Sequence, residues 1–147
     1  MPDHLLQAAA LPVRDGRICL VTSRRRARWV VPKGRIDPGC TPLEAAEREA
    51  WEEAGLVGLL RPASLGSYHY EKLGRAHLVS VFAMEVTLEH PTWPEFRERT
   101  REWVDVAEAL ARIEEPGLRA IVRLATAVGA PLGPPLLVPN FRVDSTR

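Results

Sequence analysis

Apolar residues run from about residue 4 to 13 and again from 17 to 23, parted by Arg14-Asp15-Gly16. Two such runs around an Asp-Gly step predict a β-hairpin, because that dipeptide tolerates the left-handed backbone a tight turn needs. A short apolar piece, Trp29-Val30-Val31, stops at Pro32 and opens into a glycine- and proline-bearing loop over 32–40. The period then changes from strand to helix. Leu43, Ala46, Ala50 and Ala54 recur at helical spacing. Thr41 with Glu44 forms a capping-box pattern, Pro42 sits at the first helical position, and Gly55 marks the stop, so a helix is predicted to about Ala54. Residues 57–70 and 76–88 read as strands around a turn at Glu71–Gly74, with a further short strand at Arg101–Val104. Asp105 and Glu108 make a second capping-box pattern for a helix to about Ile113, and a third helix is predicted over 117–128. Strands mixed with three helices indicate an α/β or α+β sandwich.

The chain has 147 residues, enough for one domain with a real core. That domain is expected over 1–130, leaving 131–147 as a proline-rich tail in which only Leu136-Leu137-Val138 offers an apolar patch to dock. Hydrophobic residues are 46% and charged residues 27%, a globular balance. A net charge of +1 supplies no global field for nucleic acid or a membrane surface, and neither partner is expected. Cys19 and Cys40 are too few for a disulfide framework, lack zinc-type spacing, and read as inert thiols. The stretch Leu5–Val13 is broken by Gln7 and follows Asp3 with no basic region before it. It reads as a strand and not a signal peptide, so a cytoplasmic location is expected.

The chemistry concentrates in Arg48-Glu49-Ala50-Trp51-Glu52-Glu53-Ala54-Gly55-Leu56. On a helix Glu49, Glu52 and Glu53 project from one face. Like charges at that spacing repel, and they sit near the helix C-terminus, the wrong end for anions. Such crowding should raise at least one carboxyl pKa in the metal-free state. A hard divalent cation would relieve the conflict, since magnesium prefers carboxylate oxygen and keeps waters for a phosphate to displace. The rival reading is a solvated acidic face laced by Glu44–Arg48 and Arg48–Glu52 pairs.

These residues resemble the Nudix box, G-x5-E-x7-R-E-U-x-E-E-x-G-U with U a bulky apolar residue. Gly34, Arg48, Glu49, Glu52, Glu53, Gly55 and Leu56 match; Ala50 fills the first U position but is small, and Cys40 stands where the pattern has its first glutamate. Further segments look like the diphosphoinositol polyphosphate and diadenosine polyphosphate phosphohydrolases: Arg28 to Gly34, Arg75-Ala76-His77, and Arg99 to Val104. The resemblance covers roughly residues 5–125. It implies a Nudix fold, an α/β/α sandwich around a mixed sheet with a loop–helix–loop box, and hydrolysis of a phosphoanhydride supported by Mg²⁺, with Mn²⁺ as a substitute. The implied metal ligands are Glu49, Glu52 and Glu53, with Glu49 and Glu53 foremost and Glu52 as ligand or general base. Glu53 is expected to be essential to turnover, and Arg48 to orient the glutamates. In the family the glutamate replaced here by Cys40 mostly supports the loop and helix, so adjusted or reduced activity is expected, not a dead site.

Charge is unevenly spread. Arg24, Arg25, Arg26, Arg28, Lys33 and Arg35 crowd the approach to the acidic helix, and Arg97, Arg99 and Arg101 form a later cluster. Guanidinium suits phosphate through forked, charge-assisted hydrogen bonds. The expected substrate contacts are Arg24, Arg28, Lys33, Gly34, Arg35, Arg75, His77 and Arg99, for a small polyphosphorylated molecule. His69 reads as an ordinary strand histidine, and Trp29, Trp51, Trp93 and Trp103 read as core. Nucleotide sugars and nucleoside triphosphates stay open as substrates, as do a phosphate-ligand-binding module without turnover and a role in cap removal. The oligomeric state is open.

Overall fold

A computed structural model describes residues 4–126. The expectations for the tail 131–147, and the end of the third helix at 127–128, lie outside the described residues. Eight strands form one mixed sheet: β1 (Leu5–Arg14), β2 (Arg17–Thr22), β3 (Trp29–Val30), β4 (Lys33–Arg35), β5 (Leu56–Leu60), β6 (Gly66–Lys72), β7 (Arg75–Glu89) and β8 (Arg101–Val104). The path runs β3-β2-β1-β7-β5, with β4 on β1, β6 on β7 and β8 on β2. The β1–β7 pairing is parallel, from Leu5 opposite His77 to Val13 opposite Glu85. The other strand pairings are antiparallel.

The two faces follow from side-chain alternation along the central strands. Ala8, Ala10, Phe82, Met84 and Val86 face α1 (Pro42–Ala54), which packs on them with Ala45, Ala46, Ala50 and Ala54. Small side chains on both sides bring the helix close to the sheet. Ala9, Leu11, Val79 and Val81 face the opposite layer, where α2 (Val106–Arg112) and α3 (Pro116–Thr126) supply Ala109, Leu118, Ile121 and Val122. This is the expected α/β/α sandwich. Each buried Leu or Val adds roughly 1.5–3 kcal/mol relative to exposure, so the central strands, covered on both faces, anchor the frame.

Local expectations hold unevenly. The Asp15-Gly16 turn has both residues at positive φ, as a tight hairpin requires. Around α1 the capping box is complete: the Thr41 hydroxyl accepts from the Glu44 N–H, and the Thr41 N–H donates to the Glu44 carboxylate. At α2 only half of it forms. Asp105 accepts from the Glu108 N–H, but the Glu108 carboxylate turns away to Arg112. The strand expected over 57–70 is two strands, because Arg61-Pro62-Ala63-Ser64 breaks it and Pro62 has no N–H to extend a ladder. β5 and β6 then pair with different halves of β7. Lys33–Arg35, read as loop, is a short strand paired with Gln7–Ala9. The four tryptophans are only partly buried, and three lie beneath arginines: Trp29 under Arg112, Trp93 under Arg101, Trp103 under Arg14.

Candidate active site

The site forms where α1 crosses the end of β4. Gly34 pairs with Ala8, on the face of the sheet that α1 covers. A Cβ at position 34 would run into the Glu49 carboxylate, so any larger residue would push that carboxylate from where it stands. One turn later, Glu53 Oε1 accepts the Lys33 backbone N–H at 3.2 Å. The glycine strand and the acidic helix are thus joined through the carboxylates themselves.

Glu49 and Glu53 are both buried, at 9% and 8% exposure. Burial pushes Glu53 up to about 7, against the pull of Arg99, with the charge of Glu49 adding to the rise. Glu49 is raised as well, first by burial and then by Glu52. The charge crowding read from the sequence is present, but loss of water is the larger cause. Two buried carboxyls side by side, lined with hard oxygen and seated in a cradle that a side chain at 34 would fill, suit a divalent cation. Glu52 is less buried and lies close enough for its charge to act on Glu49 and Arg48. Among the described residues no three acidic, histidine or cysteine side chains stand gathered as a ready-made cage.

The ion pairs that the solvated-face reading expects of Arg48 do not form: it pairs with neither Glu44 nor Glu52. Its guanidinium reaches Asp37 and Glu49, each at 3.4 Å, and donates to the Arg35 carbonyl at 2.9 Å. Glu44 is occupied in the cap. Arg48 therefore ties helix to loop and steadies Glu49. Cys40, partly exposed, takes no part in this, and Asp37 supplies the carboxylate. Burial pushes the Cys19 thiol up to about 12, in keeping with an inert group.

The basic residues separate into two kinds. Arg24 is exposed and paired with Glu95 and Glu98 at 3.4 and 3.5 Å. Arg28 pairs with buried Glu115 at 2.6 Å. Arg99, expected on the substrate rim, is instead buried beneath the site. It donates to Glu95 and to the Thr22 carbonyl and pairs with Glu53 at 3.2 Å. Its guanidinium serves the protein's own carboxylate. Lys33 and Arg35 flank Gly34 along β4, their side chains on the other face of the strand. Lys33 lies 5.3 Å from the Tyr70 ring centre, and burial lowers its pKa while Glu53 and Glu115 oppose that. His77 is buried and stacked on Tyr70 at 4.6 Å, and Tyr70 donates to Gln7. Arg75 is exposed at the β6–β7 turn, paired in register with Lys72. The structure thus brings Glu49, Glu53, Arg48, Lys33, Gly34 and Arg99 together and sets Arg24 and Arg75 apart from the carboxylates. Sequence reasoning missed Asp37, Tyr70, Gln7, Trp93 and Glu115. Only Asp37 left a trace, as a spare carboxylate near a box lacking its first glutamate.

A glycine strand laid against a helix of buried glutamates, inside a sandwich with a mixed sheet, defines a family by architecture and site together. The chain belongs to the Nudix family: the NUDIX domain model matches residues 4–125. It is 38% identical over 104 residues to "Nudix hydrolase 13, mitochondrial" of Arabidopsis thaliana, covering 64% of this chain and 52% of that one. It is 36% identical over 100 residues to the mouse (Mus musculus) diphosphoinositol polyphosphate phosphohydrolase 3-alpha, covering 66% of this chain and 60% of that one. The match thus spans about half to three fifths of the length of these curated relatives. In fold it is similar to a NUDIX hydrolase from Nitrosomonas europaea, with a TM-score of 0.68, 22% identity and coverage of 82% and 87% of the two chains. A Caenorhabditis elegans (C. elegans) Ap4A hydrolase matches with a TM-score of 0.64, 21% identity and coverage of 81% and 93%. No helix among the described residues is long and apolar enough to cross a membrane.

Proposed function

We propose that this protein hydrolyses a phosphoanhydride bond in a small polyphosphorylated molecule, supported by Mg²⁺ or Mn²⁺ held by Glu49, Glu53 and Glu52. The observation that carries this reading is the pair of buried carboxyls of Glu49 and Glu53, both raised first by burial, against side-chain-free Gly34. Left without a cation, that pair keeps two carboxyls buried together against desolvation, held by Arg48, Arg99 and the Lys33 N–H. When bound, the metal supplies charge screening and polarisation of the phosphoryl oxygen.

The chain's own groups do the rest. Glu53, whose carboxyl burial raises in the metal-free protein, is a candidate to take a proton from the attacking water, and Glu52 is the alternative base. Arg48 holds Glu49 in place, Arg99 does so for Glu53, and the Lys33 N–H fixes the near oxygen of Glu53. Arg99 at Glu53, Arg48 at Glu49 and Lys33, whose charge reaches Glu53 from the other face of β4, supply positive charge around the carboxylates. Preorganised charge of this kind carries most of the barrier lowering in phosphoryl transfer. Arg24 and Arg75, both exposed, are the candidate contacts for a second phosphate or the organic portion of the substrate, since Arg28 is engaged by Glu115 and His77 by Tyr70.

A diphosphoinositol polyphosphate or a diadenosine polyphosphate is the favoured substrate. The name of the mouse relative supports the first, and the segments Arg28–Gly34 and Arg75–His77 support both. The cytoplasm is the favoured compartment. Fractionation of cells expressing the protein checks it, since several plant relatives carry "mitochondrial" in their names. The function is tested by incubating purified protein with Mg²⁺ and a panel of phosphoanhydrides, following products by ³¹P NMR. Turnover of one of the two favoured classes, lost in Glu53→Gln, is the expected result. No turnover of any compound with either metal would overturn the enzymatic reading.

A further inference from the structure

The last turn of α1 ends in a place that sequence logic calls unfavourable. Its final carbonyls lack intrahelical partners, the dipole there is negative, and Glu52 and Glu53 add more negative charge. One segment, His90 to Arg101, answers these carbonyls one by one. The Glu95 N–H donates to Glu52 O at 3.1 Å, and Trp93 Nε1 donates to Glu53 O at 2.8 Å. Arg101 Nη1 donates to Ala54 O at 2.6 Å, and the His90 N–H donates to Gly55 O at 2.9 Å. Four consecutive acceptors meet four donors from a stretch about forty residues further along the chain.

The seating is tight. A Cβ at Gly55 would come within 2.9 Å of Trp93 and 3.0 Å of Arg101 Nη1, so this glycine admits the indole and guanidinium as well as adopting φ 69°. Arg101 also stacks 4.1 Å over the Trp93 ring, donates to His90 O and pairs with Glu89. Pro94 follows Trp93 directly and restricts its backbone. The same segment carries Arg99, which grips the Glu53 carboxylate from below.

We infer that Trp93 and Arg101 are positioning residues of the glutamate centre: by clamping the carbonyls of Glu53 and Ala54 they set where the Glu52 and Glu53 carboxylates stand toward a cation. This rests on the reading of those glutamates as cation ligands. A positively charged, donor-rich clamp also offsets the negative helix end, and so keeps extra carboxylates tolerable there.

The test is Mn²⁺ binding without substrate, by calorimetry and electron paramagnetic resonance, on wild type, Trp93→Phe, Arg101→Lys, Arg101→Met and Glu53→Gln. Trp93→Phe keeps the ring and deletes only the N–H. Loss of a hydrogen-bond partner of a ligating side chain weakens metal binding about 10- to 100-fold, and loss of a partner of the ligand's own backbone is expected at the low end of that range. The expected result is a fall of about tenfold in Trp93→Phe, a larger fall in Arg101→Met, and an intermediate one in Arg101→Lys. Amide exchange in the last turn of α1 should quicken in step, with circular dichroism unchanged. A merely structural role would lower the denaturation midpoint and leave Mn²⁺ affinity alone; that outcome in Trp93→Phe overturns the inference, whether or not Arg101→Met folds. If Glu53→Gln binds Mn²⁺ like wild type, or wild type binds none, the cation reading fails and this inference falls with it. Loss in Glu53→Gln alone overturns only the clamp.

Discussion

Arg99 Nη2 stands 3.2 Å from Glu53 Oε2, with the two side chains only 7% and 10% exposed. A charge pair this deep is dangerous to break, because removing one member leaves the other buried and unpaired, at a cost of about 3–5 kcal/mol. Arg99→Met should therefore lower stability by that order in urea titrations. It should also raise the Glu53 pKa, since Arg99 is what holds it down against burial. If Glu53 acts as the base, the acid limb of the pH–rate profile moves to higher pH in Arg99→Lys, the milder change. An unmoved limb would remove Glu53 from that role.

The same carboxyl makes stability depend on pH. Its folded pKa of about 7 lies above the ordinary value of 4.5, so between those values the native state holds more protons than the unfolded one. Stability from this source is complete below 4.5 and is lost as pH rises through 7, at up to about 1.4 kcal/mol per unit. Metal-free wild type should lose more stability than Glu53→Gln between pH 5 and 7.5 in denaturant melts. Added Mn²⁺ should restore most of that difference, because the cation takes the deprotonated form.

Arg48 reaches Asp37 at 3.4 Å, although the box pattern has its missing glutamate at Cys40. Asp37 is well exposed, so the pair adds at most about 1 kcal/mol to stability, and its worth lies in holding the loop. Asp37→Asn should lower kcat/KM severalfold with little change in denaturation midpoint. Adding Cys40→Glu to that variant should recover most of the loss, since a carboxylate at 40 returns a partner for Arg48. Failure of the double variant to gain over Asp37→Asn would show that the two positions are not interchangeable.

Leu73 sits at φ 53° in the β6–β7 turn and is 93% exposed. A left-handed backbone costs a leucine about 1–2 kcal/mol, while asparagine tolerates it and suits the step before Gly74. Leu73→Asn should raise stability by about 0.5–1 kcal/mol, read as a higher melting temperature, with unchanged turnover.

Much of this protein is written locally. The Asp15-Gly16 turn, the Thr41–Glu44 box, the stop at Gly55 and the spacing of Glu49, Glu52 and Glu53 depend on neighbours within a few residues, so the chain alone determined them. What only tertiary structure decided depends on partners far apart in sequence. Gly34 meets Glu49, Arg99 reaches Glu53, Trp93 finds the Glu53 carbonyl, and Arg28 is drawn to Glu115 and away from an open rim. A backbone carbonyl carries no side-chain signature, and a buried arginine reads the same as an exposed one. Which charges face the substrate and which hold the frame is set by water exclusion, and that is a property of the packed sheet and helices.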